Sequence, residues 1–377
     1  MAEKNAIYDF AVVGAGIAGA SVAAELSKSS NVIILEMEHA PGYHTTGRSA
    51  AMFVPGYGPE PIRALTRASA DFFHNPTDGF TDVPLLTKRE VLMIARDDQM
   101  GDLDAFVKDV GGEVDFMRLT QADLEERYPL LQEGYAVAGL LDQSGGEIDV
   151  SAFHQGYMNE FKAHGGELKL NTPVLAMKRQ KDQWKIQTKA GDFQAKTIVN
   201  AAGAWADELG ELAGAEAIGL QPKRRSALMV RPPEGLEIKH YPLTIDINED
   251  FYLKPDAGLL LISPANEDPM EPCDVQPEEF DIAYCIDRIE RAFQIKVHRP
   301  VRTWAGLRSF VPDKSPVVGY SGKVEGFFWL AGQGGYGFHS CPALSRCAAA
   351  LALSNTMPED LLQHGVVLQD ILVDRLH

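Results

Sequence analysis

The sequence predicts a mixed α/β (α+β) chain built on two sheets, and three observations carry that. Residues 8–13 (YDFAVV) read as a buried strand that runs into three glycines and then an apolar helix pattern, the order of a parallel βαβ unit. Alternating short apolar runs crowd residues 220–264, which reads as a second sheet. A length of 377 residues with 45% hydrophobic content, 34 Gly and 22 Pro is enough for one large core or two medium ones, so two domains are expected.

At the first element, Gly14, Gly16 and Gly19 stand at GxGxxG spacing, and the helix they open runs to about residue 28. Gly14 permits the tight turn, Gly16 lets backbone N–H groups approach a pyrophosphate at the positive helix end, and Gly19 allows close packing of helix on strand. A second strand, residues 31–35, ends in Glu36, where a carboxylate holds adenosine ribose hydroxyls and repels a 2′-phosphate. The unit is therefore a Rossmann-type dinucleotide site for FAD or NAD rather than NADP.

The remaining elements follow in order. Residues 61–73 read as a helix, 86–95 as one strand, 102–110 and 121–128 as helices, and 145–149 as a loop leading into a helix at 151–163. Short strands are expected at 168–170, 174–179, 184–188 and 193–199, then at 226–230, 243–247, 251–253 and 259–263. Residues 270–280 are acidic and proline-rich, an exposed loop before a helix at 282–293.

Composition narrows the partners. Lys and Arg total 35 against 53 Asp and Glu, a formal charge of −18 that repels phosphate backbones, so nucleic acid is not expected. The four cysteines (Cys273, Cys285, Cys341, Cys347) form no CxxC pair and the histidines no HxH or HxxH pair, so neither a disulfide framework nor a metal site is indicated. With no apolar signal core near the start and no run approaching roughly 18 apolar residues, the expectation is a cytoplasmic chain without membrane insertion.

Four separated motifs, in order, resemble the D-amino-acid oxidase superfamily. They are residues 41–51 (PGYHTTGRSAA), 197–205 (TIVNAAGAW), 304–319 with WAGLR and two prolines, and 329–337 (WLAGQGGYG). Within it the chain looks most like the FAD-dependent D-arginine dehydrogenase type. The resemblance implies noncovalent FAD, since sarcosine oxidases of the superfamily attach flavin through a cysteine that 305–311 lacks. It also implies an FAD-binding domain (1–86, 143–218 and 302–377) interleaved with a substrate domain (87–142 and 219–301). The implied FAD contacts are Gly14, Gly16, Ile17, Ala18, Gly19, Glu36, His44, Thr45, Thr46, Arg48, Ser49, Ala50, Val174, Ala202, Gly203, Gly306, Arg308, Gly334, Gly335, Tyr336 and Gly337.

Substrate residues implied by the same resemblance are Arg225 and Arg308 for a carboxylate, which arginine grips with a bidentate fork, with Tyr57, Tyr252 and Gly335 around them. For the side-chain pocket, ungapped register from Pro84-Leu85-Leu86 puts Val91 where the relative has a glutamate that pairs with a cationic substrate. Adjacent strand residues face opposite ways, so Glu90 then points outward unless a bulge intervenes. Met52 and Phe53 complete an apolar wall. The implied reaction is hydride transfer from Cα of a neutral or apolar D-amino acid to flavin N5, giving a 2-oxo acid and ammonia. An acceptor other than oxygen is expected, because residues 259–262 (LLLI) lack the lysine that promotes oxygen reaction in those oxidases. The other readings are a secondary-amine (sarcosine- or proline-type) oxidase or dehydrogenase, a 2-hydroxy-acid dehydrogenase, or a noncatalytic FAD-binding subunit. A monomer or weak oligomer is expected.

Overall fold

The computed structural model describes residues 7–377. Residues 1–6, on which part of the reading of the chain start falls, lie outside the described residues. The first sheet has eight strands. Ile7–Val13 lies at its centre, parallel to Val32–Leu35 on one side and to Gly191–Asn200 on the other. Gly191–Asn200 is long enough to serve two neighbours along one edge. Its first half forms a hairpin with Gln183–Thr188, and its last residues run parallel to Phe327–Ala331. Helices Ile17–Ser27, Glu60–His74, Val150–Ala163 and Cys341–Ala352 contribute to one core beside this sheet, around Phe73, Phe153 and Phe161. The other face is filled by Trp184, Ile198 and Trp329.

The second sheet has nine strands. Its long member Gln221–Val230 pairs with Leu259–Ser263 and, over nearly its whole length, with Arg302–Phe310. The strand expected to open the third FAD-domain segment at 302 hydrogen-bonds into the second sheet before the chain returns to Val317–Tyr320 in the first.

The single strand expected at 86–95 is two. Leu86–Lys88 joins a small sheet with Met52–Phe53 and Gly146–Ile148, whereas Val91–Ala95 pairs in parallel with Leu243–Asp246 in the second sheet. The break falls at Arg89, whose guanidinium donates to the Lys239 and Tyr241 carbonyls at 2.7 Å each and so binds the chain to the second sheet at the crossover. Among the described residues no helix is long and apolar enough to cross a membrane.

Candidate active site

The glycine turn joins Ile7–Val13 to helix Ile17–Ser27 where almost no side chain fits. Gly14 has φ +102°, and a Cβ on it would stand 2.4 Å from the Ala201 carbonyl oxygen. Thr46 Oγ1 accepts the Ile17 N–H at 2.9 Å, capping the helix start from the 41–51 loop. Glu36, 7% exposed, accepts the Ala15 N–H at 2.6 Å and the Glu38 N–H at 2.9 Å. These two bonds hold its carboxylate at the mouth of the glycine turn.

Two adjoining cavities run from this point. The first, about 210 Å³, is lined by Gly14, Gly16, Glu36, His44, Val174 and Ala202 among others. The second, about 140 Å³, continues through the shared Gly16, Thr45, Thr46 and Gly203 to Ile17, Ala18, Ser49, Ala50, Gly306, Arg308, Gly334, Gly335 and Gly337. A Cβ on Gly335 would meet the Arg308 guanidinium at 2.7 Å, so only glycine leaves this wall open. The chemistry of the lining fits FAD. An acid stands at the ribose end, bare backbone and a helix start at the pyrophosphate, and at the far end Ser309 Oγ and Gln333 Nε2 are buried with no partner among the described residues. Neither was predicted. The glycines on both sides of Gln333 made it readable as a wall residue, but Ser309 carried no signal.

One of the cofactor expectations needs correction, and two other residues carry a second task. Arg48 borders the second cavity, and its guanidinium donates to the Val275 and Ala305 carbonyls at 3.1 Å each and ion-pairs with Asp274, so it also fastens the loop to strand Arg302–Phe310. Thr45 Oγ1 likewise donates to the Leu307 carbonyl at 2.7 Å. Tyr336 does not line the channel. Its ring lies against Tyr57 at 5.2 Å and Phe310 at 6.1 Å. His44 borders the first cavity, held by Glu38 at 2.9 Å and by the Trp205 ring at 4.7 Å.

At the flavin end, paired strands Gln221–Val230 and Arg302–Phe310 set Arg225 opposite Gly306 and Lys223 opposite Arg308, which brings Arg225 and Arg308 onto one face. Arg224 projects from the opposite face to Asp281 at 2.8 Å, so it is not the inward arginine. Arg225, 7% exposed, donates to the Asn266 carbonyl at 3.0 Å and to Glu267 at 3.2 Å. Arg308 has no carboxylate within salt-bridge distance among the described residues. Burial and then the charge of Arg308 lower the pKa of Arg225. For Arg308 burial acts in the same sense, but Tyr57, Tyr252 and Glu249 outweigh it and hold the guanidinium charged. Two neighbouring cations, only one of them ion-paired, make a site for an anion.

Tyr57 donates to Glu249 at 2.9 Å, and burial followed by the Glu249 charge pushes its pKa up to about 12. His339, 2% exposed, lies near Tyr57 and Tyr336, and burial followed by Arg308 lowers it to about 3. Sequence reading missed both Glu249, in a tight turn at φ +56°, and His339.

Val91 is fully buried in a cluster with Val54, Leu243, Met52, Tyr57, Ile245 and Tyr252. Glu90 faces the other way and accepts from Gln143 Nε2 at 2.9 Å. Phe53 leaves the expected wall. It follows Met52 on a strand, so it turns to the opposite face and packs on Phe73 at 5.4 Å between ring centres.

Fold and channel define an FAD-dependent oxidoreductase. Residues 9–351 match the DAO family, FAD dependent oxidoreductase, and the chain belongs to it. It is 22% identical over 348 residues to the glycerol 3-phosphate dehydrogenase of Caloramator mitchellensis, covering 90% of this chain and 72% of that protein. The crystal structure of glycine oxidase from Geobacillus kaustophilus superposes with a TM-score of 0.80 at 23% identity, covering 96% of this chain and 98% of that one. L-alpha-glycerophosphate oxidase from Mycoplasma pneumoniae, a structure with FAD bound, gives 0.81 at 18% identity over 92% and 95%. At these identities the structural matches carry the fold alone. The chain is thus an FAD-dependent oxidoreductase of this family, and its finer likeness to the D-arginine dehydrogenase type rests on the motifs.

Proposed function

We propose that this protein oxidises D-amino acids with neutral or apolar side chains at Cα, releasing an imino acid that hydrolyses to a 2-oxo acid and ammonia. The observation that carries the reading is the pairing of two unlike surfaces at the flavin end. Arg225 and Arg308 supply a cationic grip for a carboxylate, and Tyr252, which lines the same cavity, packs in an apolar cluster with Val91, Met52, Leu243 and Ile245.

Bound FAD supplies the acceptor for the hydride. The protein's part is to orient the substrate and exclude charge from its far end. Each charge-assisted bond from arginine to the carboxylate contributes roughly 1.5–3 kcal/mol. An apolar side chain against Val91 gains about 1.5–3 kcal/mol from burial, whereas a cationic one is desolvated without a partner. With Tyr57 at about 12 and His339 at about 3, neither exchanges a proton near neutrality, so neither serves as the base for the substrate ammonium. Selection of the D-form is carried by the motif likeness.

Turnover efficiency with D-leucine, D-methionine and D-phenylalanine against D-arginine and D-lysine tests this reading. The apolar group leads by about tenfold or more if a cationic end must enter unpaired. If the basic substrates lead, the pocket assignment is wrong. A phosphate also suits two arginines, so glycerol 3-phosphate belongs in the panel.

A further inference from the structure

The two arginines at the flavin end are not equivalent, and one acid makes the difference. Strand Gln221–Val230 pairs antiparallel with the short strand Asp268–Pro269, which sets Arg224 opposite Asp268 and Lys223 opposite Pro269. One further step of that register brings Glu267 opposite Arg225, and residues directly opposite share a face. One Glu267 oxygen accepts from Arg225 Nη2 at 3.2 Å. The other accepts from Lys223 Nζ at 2.9 Å and lies 3.7 Å from Lys314 Nζ. Burial alone would raise the Glu267 carboxyl, but Lys223, Lys314 and Arg225 hold it below its usual range, so it stays charged. Lys223 and Lys314 also lie over the Phe310 ring at 5.4 and 5.6 Å, which ties this cluster to strand Arg302–Phe310.

The donors left for a substrate follow by count. Arg225 commits Nε to the Asn266 carbonyl and Nη2 to Glu267, so Nη1 alone is open among the described residues. Arg308 lines the cavity with no ion pair among the described residues and offers its fork. A carboxylate has two oxygens in one plane and one negative charge, which that fork and one further donor satisfy. A phosphoryl dianion brings three oxygens and a second charge, so burying it requires a second uncommitted cation. Glu267 has taken that cation. Lys223 and Lys314 do not replace it, because their side chains are 22% and 49% exposed and screened by water, whereas that of Arg225 is 7% exposed. Glu249, bonded to Tyr57, acts on Arg308 in the same sense as Glu267 acts on Arg225.

We propose that Glu267 determines anion specificity here: by occupying Arg225 it selects a singly charged carboxylate over a doubly charged phosphoryl group. This rests on the carboxylate reading above.

The test uses two redox-inert anions with the same apolar body, 4-methylpentanoate and 3-methylbutylphosphonate, titrated into the FAD-loaded protein and followed by perturbation of the flavin absorbance. At about pH 8 the phosphonate is largely a dianion. Wild type should bind the carboxylate more tightly. Glu267→Gln keeps the size and removes the charge, and should move the ratio of the two Kd values toward the phosphonate by about fivefold or more. Asp268→Asn removes the same charge one residue away, on the Arg224 side, and should leave the ratio within about twofold. A readout as a ratio of matched ligands is not moved by a general loss of fold or of FAD. A smaller shift in Glu267→Gln, an equal shift in Asp268→Asn, or a wild-type preference for the phosphonate overturns the proposal while the carboxylate reading stands. If the carboxylate does not bind wild type, or binds Arg308→Met equally well, that reading fails and the proposal falls with it.

Discussion

Arg308 faces the channel without a carboxylate partner, and Arg225 beside it has its Nε and one terminal nitrogen already engaged. On the proposed reading, the bidentate grip on the substrate carboxylate falls to Arg308. Replacing it with Met should raise the apparent KM by about a hundredfold or more, since two charge-assisted bonds at roughly 1.5–3 kcal/mol each are lost, with FAD retained. Near-normal turnover at low substrate, measured alongside the flavin spectrum, would make Arg308 a structural residue. Protonation is decided at the same scale. Only a neutral amine gives up hydride, so flavin reduction should rise with pH to a plateau as the substrate amine titrates near about 8–10. Tyr57 at about 12 and His339 at about 3 lie outside that window, so no falling limb is expected between about pH 6 and 10. Stopped-flow reduction across that range checks it, and a flat or bell-shaped profile contradicts it. Val91 was legible because strand alternation is a rule of geometry. Phe53 was misread by ignoring that rule one residue after Met52.

The loop at 41–51 is the element on which cofactor retention depends, because it is fastened at three points to strand Arg302–Phe310 and its surroundings. Thr45 and Arg48 donate to carbonyls there, and Trp304 Nε1 donates back to the Arg48 carbonyl at 3.0 Å. Arg48→Ala removes the ion pair with Asp274 and both carbonyl contacts. Losing them should weaken FAD binding by about tenfold, roughly 1.4 kcal/mol, in equilibrium dialysis or by fluorescence of released flavin. Unaltered FAD affinity would show that the loop holds its shape without this clasp. The motif marked the loop as a cofactor element, but a guanidinium that reaches across to another strand leaves no trace in local sequence. The split of 86–95 was hidden for a related reason: both halves have strand-like composition, and only Arg89 reaching the Lys239 and Tyr241 carbonyls shows where the chain changes sheets.

At the scale of the whole molecule, the two sheets meet along the channel, the first supplying the nucleotide end and the second the arginines. The βαβ unit and its glycines were legible because steric limits at Gly14 and Gly19 leave glycine little competition. Ser309, Gln333, Glu249 and His339 were not, because their roles arise from long-range approach and from burial without partners, which no spacing encodes. The central claim is that this channel joins FAD to a carboxylate-bearing amine with an apolar side chain. Anaerobic mixing of the FAD-loaded protein with D-leucine, L-leucine, sarcosine, lactate and glycerol 3-phosphate, followed at the flavin absorbance, tests it most directly. The account predicts rapid bleaching by D-leucine and little by the others; bleaching by glycerol 3-phosphate in preference to D-leucine, or by none of the five, contradicts it.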